Sequence, residues 1–147
     1  SATAANLLDD YEEGTYDPTL TCATSGSYVL ESGYNTLSYT KIGRLVTVVG
    51  SVNIESESSP NGQLRFSLPF TILSLGDHAD SGYTNGCVFT NHADSDTNAN
   101  VLSYFADNVA YVSITQVTHG TGAVGEFDHT DADTSFSIAV MFSYSAA

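Results

Sequence analysis

Along "TSFSIAVMFSY", Phe136, Ile138, Val140, Phe142 and Tyr144 alternate with Ser135, Ser137, Ala139, Met141 and Ser143. A repeat of two sends successive side chains to opposite faces, so this stretch predicts a half-buried β-strand. "RLVTVVGSVNIE" follows the same rule with Val46, Val48, Gly50, Val52 and Ile54 on one face. Gly50 leaves a gap in that row, which marks a bulge or a close backbone contact. "NVAYVSITQV" sets Val112, Ile114 and Gln116 opposite Tyr111, Ser113 and Thr115, and "LSYTKIG" and "QLRFSLPF" are shorter members of the series.

Turn signals separate these runs: "TSGS", "SGYN", "SSPNGQ", "SGYTNG" and "HGTGAVG". Asn61-Gly62 has the composition of a primed hairpin turn joining "VNIESESS" to "QLRFSL". Gly43, between Lys41 and Arg44, can take a positive φ and so join two strands. Helical spacing is confined to the opening "ATAANLL" and to "NANVLSYFADN", where Val101, Leu102 and Phe105 stand; the second is read as a strand or a single turn. About seven to ten short strands at intervals of about 8–12 residues give an all-β antiparallel fold, a β-sandwich or jelly roll. The expected organisation is an acidic N-terminal connector, 1–14, followed by one sandwich domain, 15–147.

Composition narrows the partners. The chain of 147 residues carries 17 acids against three bases (Lys41, Arg44, Arg65), a net charge of -14. Such a field repels phosphate backbones and anionic leaflets, so neither nucleic acid nor a membrane is an expected partner. No apolar run is long enough to span a bilayer and no secretory leader pattern is visible; the start at Ser1 suggests a mature or excised piece of a longer chain. Cys22 and Cys87 sit in apolar, strand-like stretches and are read as two buried free thiols.

The candidate chemistry is polar and lies in loops. Asp9, Asp10, Glu12 and Glu13 crowd around Tyr11, an exposed run that lacks the opposed environments of a catalytic acid pair. Asp94, Asp96, Asn98 and Asn100 alternate as oxygen donors do at the start of a calcium loop, but Ala99 stands where that loop needs glycine. "GDHADSG" (Asp77, His78, Asp80) and "GEFDHTDADTS" (Glu126, Asp128, His129, Asp131, Asp133) add two more acidic, histidine-bearing loops. Their spacings match no closed zinc pattern. The expectation is therefore no metal, no cofactor and no catalytic residue: "GTGAVG" lacks the βαβ context of a dinucleotide site, and no nucleophile elbow occurs. Saccharides are bound by a few placed polar groups over an aromatic floor. Tyr83, Asn85, His92, Asp94, Asp96, Asn98 and Tyr104, with Tyr111, are the ligand-binding candidates, and the binding surface is expected within residues 76–100 or 119–133.

The phrase "LLDDYEEGTYDPTL", followed in order by "YTKIGRLVTVVGSV", "SLPF" and "FSIAVMFSY", resembles the C-terminal domain of tail fibres, tailspikes and other virion proteins of tailed bacteriophages. In "SLPF" Ser67 replaces the glycine usual there, and residues 74–134 carry no matching phrase. The resemblance implies a non-enzymatic domain on the exterior of a virion, bound to an upstream fibre shaft or another virion protein. It would bind a host-surface glycan or protein through its loops, as one protomer of a trimeric knob. It also implies two alternatives, a purely structural knob or capsid decoration domain, and a glycan-degrading tailspike domain.

Overall fold

The computed structural model describes residues 10–74, 87–93, 99–118 and 122–147, with backbone alone for 87–93, 99, 118 and 133. All regular structure in these residues is antiparallel β, as the two-residue alternation predicts. The strands are β1 (Tyr11–Tyr16), β2 (Leu20–Cys22), β3 (Ser25–Leu30), β4 (Leu37–Ile42), β5 (Leu45–Asn61), β6 (Leu64–Ser67), β7 (Cys87–Ala93), β8 (Ala99–Phe105), β9 (Tyr111–Thr118), β10 (Val124–Glu126) and β11 (Ala132–Ser145). "NANVLSYFADN" thus supplies a strand, β8.

The ladder runs β1-β4-β5-β11-β7-β8-β9-β6-β2-β3, and β3 pairs again with β5, so the path closes on itself. Two faces of a sandwich result. One is β1-β4-β5-β11-β7 and the other β8-β9-β6-β2-β3. They are joined at one side by the long β5, which pairs with β4 over Leu45–Val49 and with β3 beyond Ile54. At the other side, among the described residues, the pair Cys87 with Leu102 links β7 to β8. β10 continues the line of β6 along the edge of β9.

Register makes the core visible row by row. Tyr28, Leu20, Phe66, Val112 and Phe105 stand opposite one another across β3, β2, β6, β9 and β8, and all five are buried. They face Val46, Val48, Val52 and Ile54 of β5 and Phe136, Ile138, Val140, Phe142 and Tyr144 of β11, the two alternating sets read from the sequence. Phe105 packs edge-on to Phe142 at 5.3 Å and Tyr28 edge-on to Phe136 at 5.5 Å, ring geometries that add to plain area burial. Cys22 is a free, buried thiol, and burial pushes its pKa up.

Turn chemistry behaves as the sequence suggests at one corner and not at another. Ile42 pairs with Leu45, so Gly43-Arg44 is a two-residue hairpin loop, with positive φ at Gly43 alone, the pattern of a II′-type turn. Asn61-Gly62 does not close a β5–β6 hairpin. β5 ends against β3, while β6 lies between β2 and β9. The backbone of this corner is satisfied by the β2–β3 turn instead: Ala23 N–H donates to Gln63 O and Thr24 N–H to Asn61 O.

The acidic opening reaches the sheet. Tyr11–Tyr16 pair with β4 residue for residue, while Tyr11, Glu12 and Glu13 stay exposed. Glu12 accepts from the Tyr39 hydroxyl and Glu13 from that of Tyr11, which raises both phenol pKa values. Lys41 and Arg44 do not take these carboxylates as partners; Lys41 Nζ lies 5.8 Å over the Phe70 ring. An exposed ion pair would contribute only about 0–1 kcal/mol, so a cation over an aromatic face competes readily. Around Phe70 four distant phrases meet. Tyr39 packs edge-on to Phe70 and Tyr16 to Tyr39; the Tyr144 hydroxyl accepts from Phe70 N–H and donates to Phe70 O; and Gly14 leaves room for the Tyr39 ring over its backbone.

Candidate functional site

The outward row next to the buried one is different in kind. Ser27 of β3, Thr21 of β2, Arg65 of β6, Ser113 of β9 and Tyr104 of β8 are register partners in sequence, four hydroxyls and one guanidinium across five strands. They lie on the face opposite the core because their neighbours along each strand point into it; Thr21 is exposed, Ser27, Arg65 and Tyr104 are half-buried and Ser113 is buried. At one end the row opens into a recess of about 430 Å³ whose lining includes Thr19, Thr21, Ser27 and Asn35. At the other lies a recess of about 280 Å³ lined by Gln63, Tyr104, Thr115, Val124, Gly125 and Glu126.

Arg65 sits at the centre. Its guanidinium lies 4.6 Å from the Tyr111 ring centroid, the distance of a stacked cation–π pair. Its Nε is buried without a hydrogen-bond partner, and no described carboxylate lies within ion-pair distance of it. Beside the smaller recess, residues 128–131 form a tight polar turn. Asp128 accepts from the Thr130 hydroxyl and N–H, and the Thr130 hydroxyl chiefly holds its carboxyl below the usual range. Asp131 accepts from Asp128 N–H and from Gln116, and His129 Nδ1 accepts from Gly62 N–H at 3.1 Å.

Of the sequence candidates, Tyr104 stands in the row and Tyr111 beneath Arg65. His92 falls in β7, described as backbone, and Asn100 is an exposed residue of β8 paired with Val117. Tyr83, Asn85, Asp94, Asp96 and Asn98, with Asp77, His78 and Asp80, lie outside the described residues. Among the described residues no group of three or more His, Cys, Asp or Glu converges as a metal would require. Sequence reading passed over Arg65, Thr21, Ser27 and Ser113, since isolated hydroxyls and one base carry no motif. The available signal was their common phase, each one residue away from a core position.

Fold and site together define a small antiparallel sandwich domain with a polar, partly buried sheet face that carries two recesses. No protein-family model matches the chain, and no curated protein matches it. Among solved structures it is similar to the crystal structure of Dettilon tailspike protein (gp208), with a TM-score of 0.68 and 19% identity over 93% of this chain. The likeness is one of fold, and this chain spans 24% of that one, about a quarter.

Proposed function

We propose that this chain is a domain of a tailspike or tail-fibre protein on the exterior of a tailed bacteriophage, and that it binds a saccharide receptor on the host surface without cleaving it. The observation that carries the reading is the fold likeness to a tailspike protein across 93% of the chain; the phrases from "LLDDYEEGTYDP" to "FSIAVMFSY" support it independently. The binding surface we assign is the outward row with its two recesses. It supplies hydroxyl, amide and carboxylate groups beside Tyr104, the few placed polar groups and aromatic surface that sugars require. The test is competition. The isolated domain is expected to bind host cells saturably, to block adsorption of the parent virion, and to lose its binding when cell-surface glycans are oxidised with periodate. It is expected to release no new reducing ends from them. A domain that neither binds cells nor competes would overturn the reading.

A structural, self-associating role is favoured by a separate observation on the opposite face. Three outward rows cross β1, β4, β5 and β11: Tyr11, Ile42, Leu45 and Ser145; Glu13, Thr40, Thr47 and Ser143; Thr15, Ser38, Val49 and Met141. Met141 is 62% exposed, Ile42 56% and Leu45 52%, and Glu13 is the one charge among these twelve residues. In a chain of net charge -14 this face is where copies could approach with least repulsion, in keeping with the homotrimer that the sequence phrases imply. Receptor binding and self-association use different faces, so the two roles are compatible.

A further inference from the structure

From the setting of Arg65 we infer that the saccharide carries a carboxylate, and that Arg65 binds it. This rests on the receptor reading above and narrows it to acidic sugars. The chain has 17 acids and three bases, so an Arg in the middle of a sheet, flanked by β2 and β9, would ordinarily be neutralised by one of its own carboxylates. Among the described residues nothing neutralises Arg65: no described carboxylate comes within 4.0 Å of it. The outward residues on either side of it in the row are Thr21 and Ser113, both uncharged.

Arg65 is also held in place. Stacking on Tyr111 fixes the plane of the guanidinium, and its buried Nε has no acceptor. Contacts to a ligand therefore fall on the two terminal nitrogens, whose parallel N–H groups match a carboxylate in bidentate fashion. A guanidinium is weakly hydrated and already ordered here, so little is lost when the anion arrives.

The neighbours suit a sugar better than a simple ion. Thr21 and Ser27 stand to one side of the guanidinium, and Tyr104 to the other beyond the buried Ser113. Four inter-strand steps of about 4.8 Å make the row about 19 Å long, enough for several pyranose rings. Glu126 lines the smaller recess, opposite Thr115 and one outward position beyond Ser113, where it can accept from sugar hydroxyls. The net negative charge opposes any anion at long range, but at physiological salt that field is screened beyond about 8 Å. The guanidinium, with no described carboxylate paired to it, acts at contact.

The experiment is an array of bacterial surface polysaccharides, grouped as carboxylate-bearing, phosphate-bearing and neutral, probed with wild-type domain, Arg65→Gln and Arg65→Lys. Thermal unfolding of all three verifies that the fold is kept. The wild type is expected to bind carboxylate-bearing polymers and to lose about tenfold or more in affinity when their carboxyl groups are chemically reduced. Arg65→Gln should lose a similar factor on the acidic polymer and nothing on its reduced form, with Arg65→Lys in between. Binding confined to neutral or phosphate-bearing polymers, or an Arg65→Gln variant that binds the acidic polymer as the wild type does, overturns the inference while the receptor reading stands. Absence of binding to any polysaccharide overturns both.

Discussion

Replacing Gly50 by alanine tests how β5 is built. Gly50 lies in the inward row Val46, Val48, Val52 and Ile54 but has φ +142°, a conformation L side chains rarely adopt. A Cβ there would come to 2.8 Å from Leu37 Cδ2, and Leu37 is itself buried. Two costs add: backbone strain of about 1–3 kcal/mol and overpacking against the tip of a buried side chain, about 1–3 kcal/mol. Gly50→Ala should therefore cost about 2–6 kcal/mol, a large share of the roughly 5–15 kcal/mol that holds a domain together. Leu37→Ala should cost about 2–5 kcal/mol by leaving a cavity. In the double variant the overpacking vanishes while the strain stays. Its loss should fall short of the sum of the single losses by about 1–3 kcal/mol, a coupling that neighbours show and distant sites do not. Urea unfolding of the four proteins measures this directly. Gly50→Ala within about 0.5 kcal/mol of wild type, or strict additivity, would refute the reasoning.

Burial raises the Tyr144 phenol from 10.0 to about 12, and raises Tyr16 and Tyr28 as well. A raised phenol stabilises the fold fully below its unfolded value and loses that contribution as pH rises through the folded one. Ultraviolet phenolate titration should show these groups ionising after the exposed tyrosines, with stability falling from about pH 10 towards 12; identical alkaline midpoints for wild type and Tyr144→Phe would contradict this. Asp128 behaves in the opposite sense. Its carboxyl is held below the usual range, so its contribution is present above the unfolded value and is lost as pH falls through the folded one. Thermal unfolding of wild type and Asp128→Asn should converge on acidification; a difference that persists below the carboxylate range counts against the Thr130 contacts as its cause. Met141→Asp adds a charge to the charge-poor outer face and should shift sedimentation of the isolated domain towards monomer while leaving its unfolding transition within about 0.5 kcal/mol; unchanged association would remove that face as the contact.

How much of this was legible beforehand follows from what a period of two encodes. Alternation told which residues of β5 and β11 are buried, because a strand gives each residue one of only two faces. Gly43 was legible as a turn for a similarly local reason, since its positive φ is served by its own lack of a side chain. Nothing local says which strands become neighbours. Asn61-Gly62 has hairpin composition, yet its backbone is satisfied by the β2–β3 turn, a choice made by long-range pairing. For the same reason polarity along the chain points to the loops, while the row of Ser27, Thr21, Arg65, Ser113 and Tyr104 leaves no signal in it. Those five residues span positions 21 to 113 in no contiguous pattern, and only inter-strand register brings them into line.

The amino-acid string by itself therefore determined the all-β class, the inward set of the long strands and the net charge of -14. Tertiary structure decided the rest: that Gly14, Tyr39, Phe70 and Tyr144 converge, that twelve outward residues of β1, β4, β5 and β11 carry one charge among them, and that the other face centres on a guanidinium with no described carboxylate paired to it. Periodicity along a chain is set by local backbone geometry, whereas the composition of a sheet face is set by which strands hydrogen-bond side by side, and that is settled only when the whole core closes.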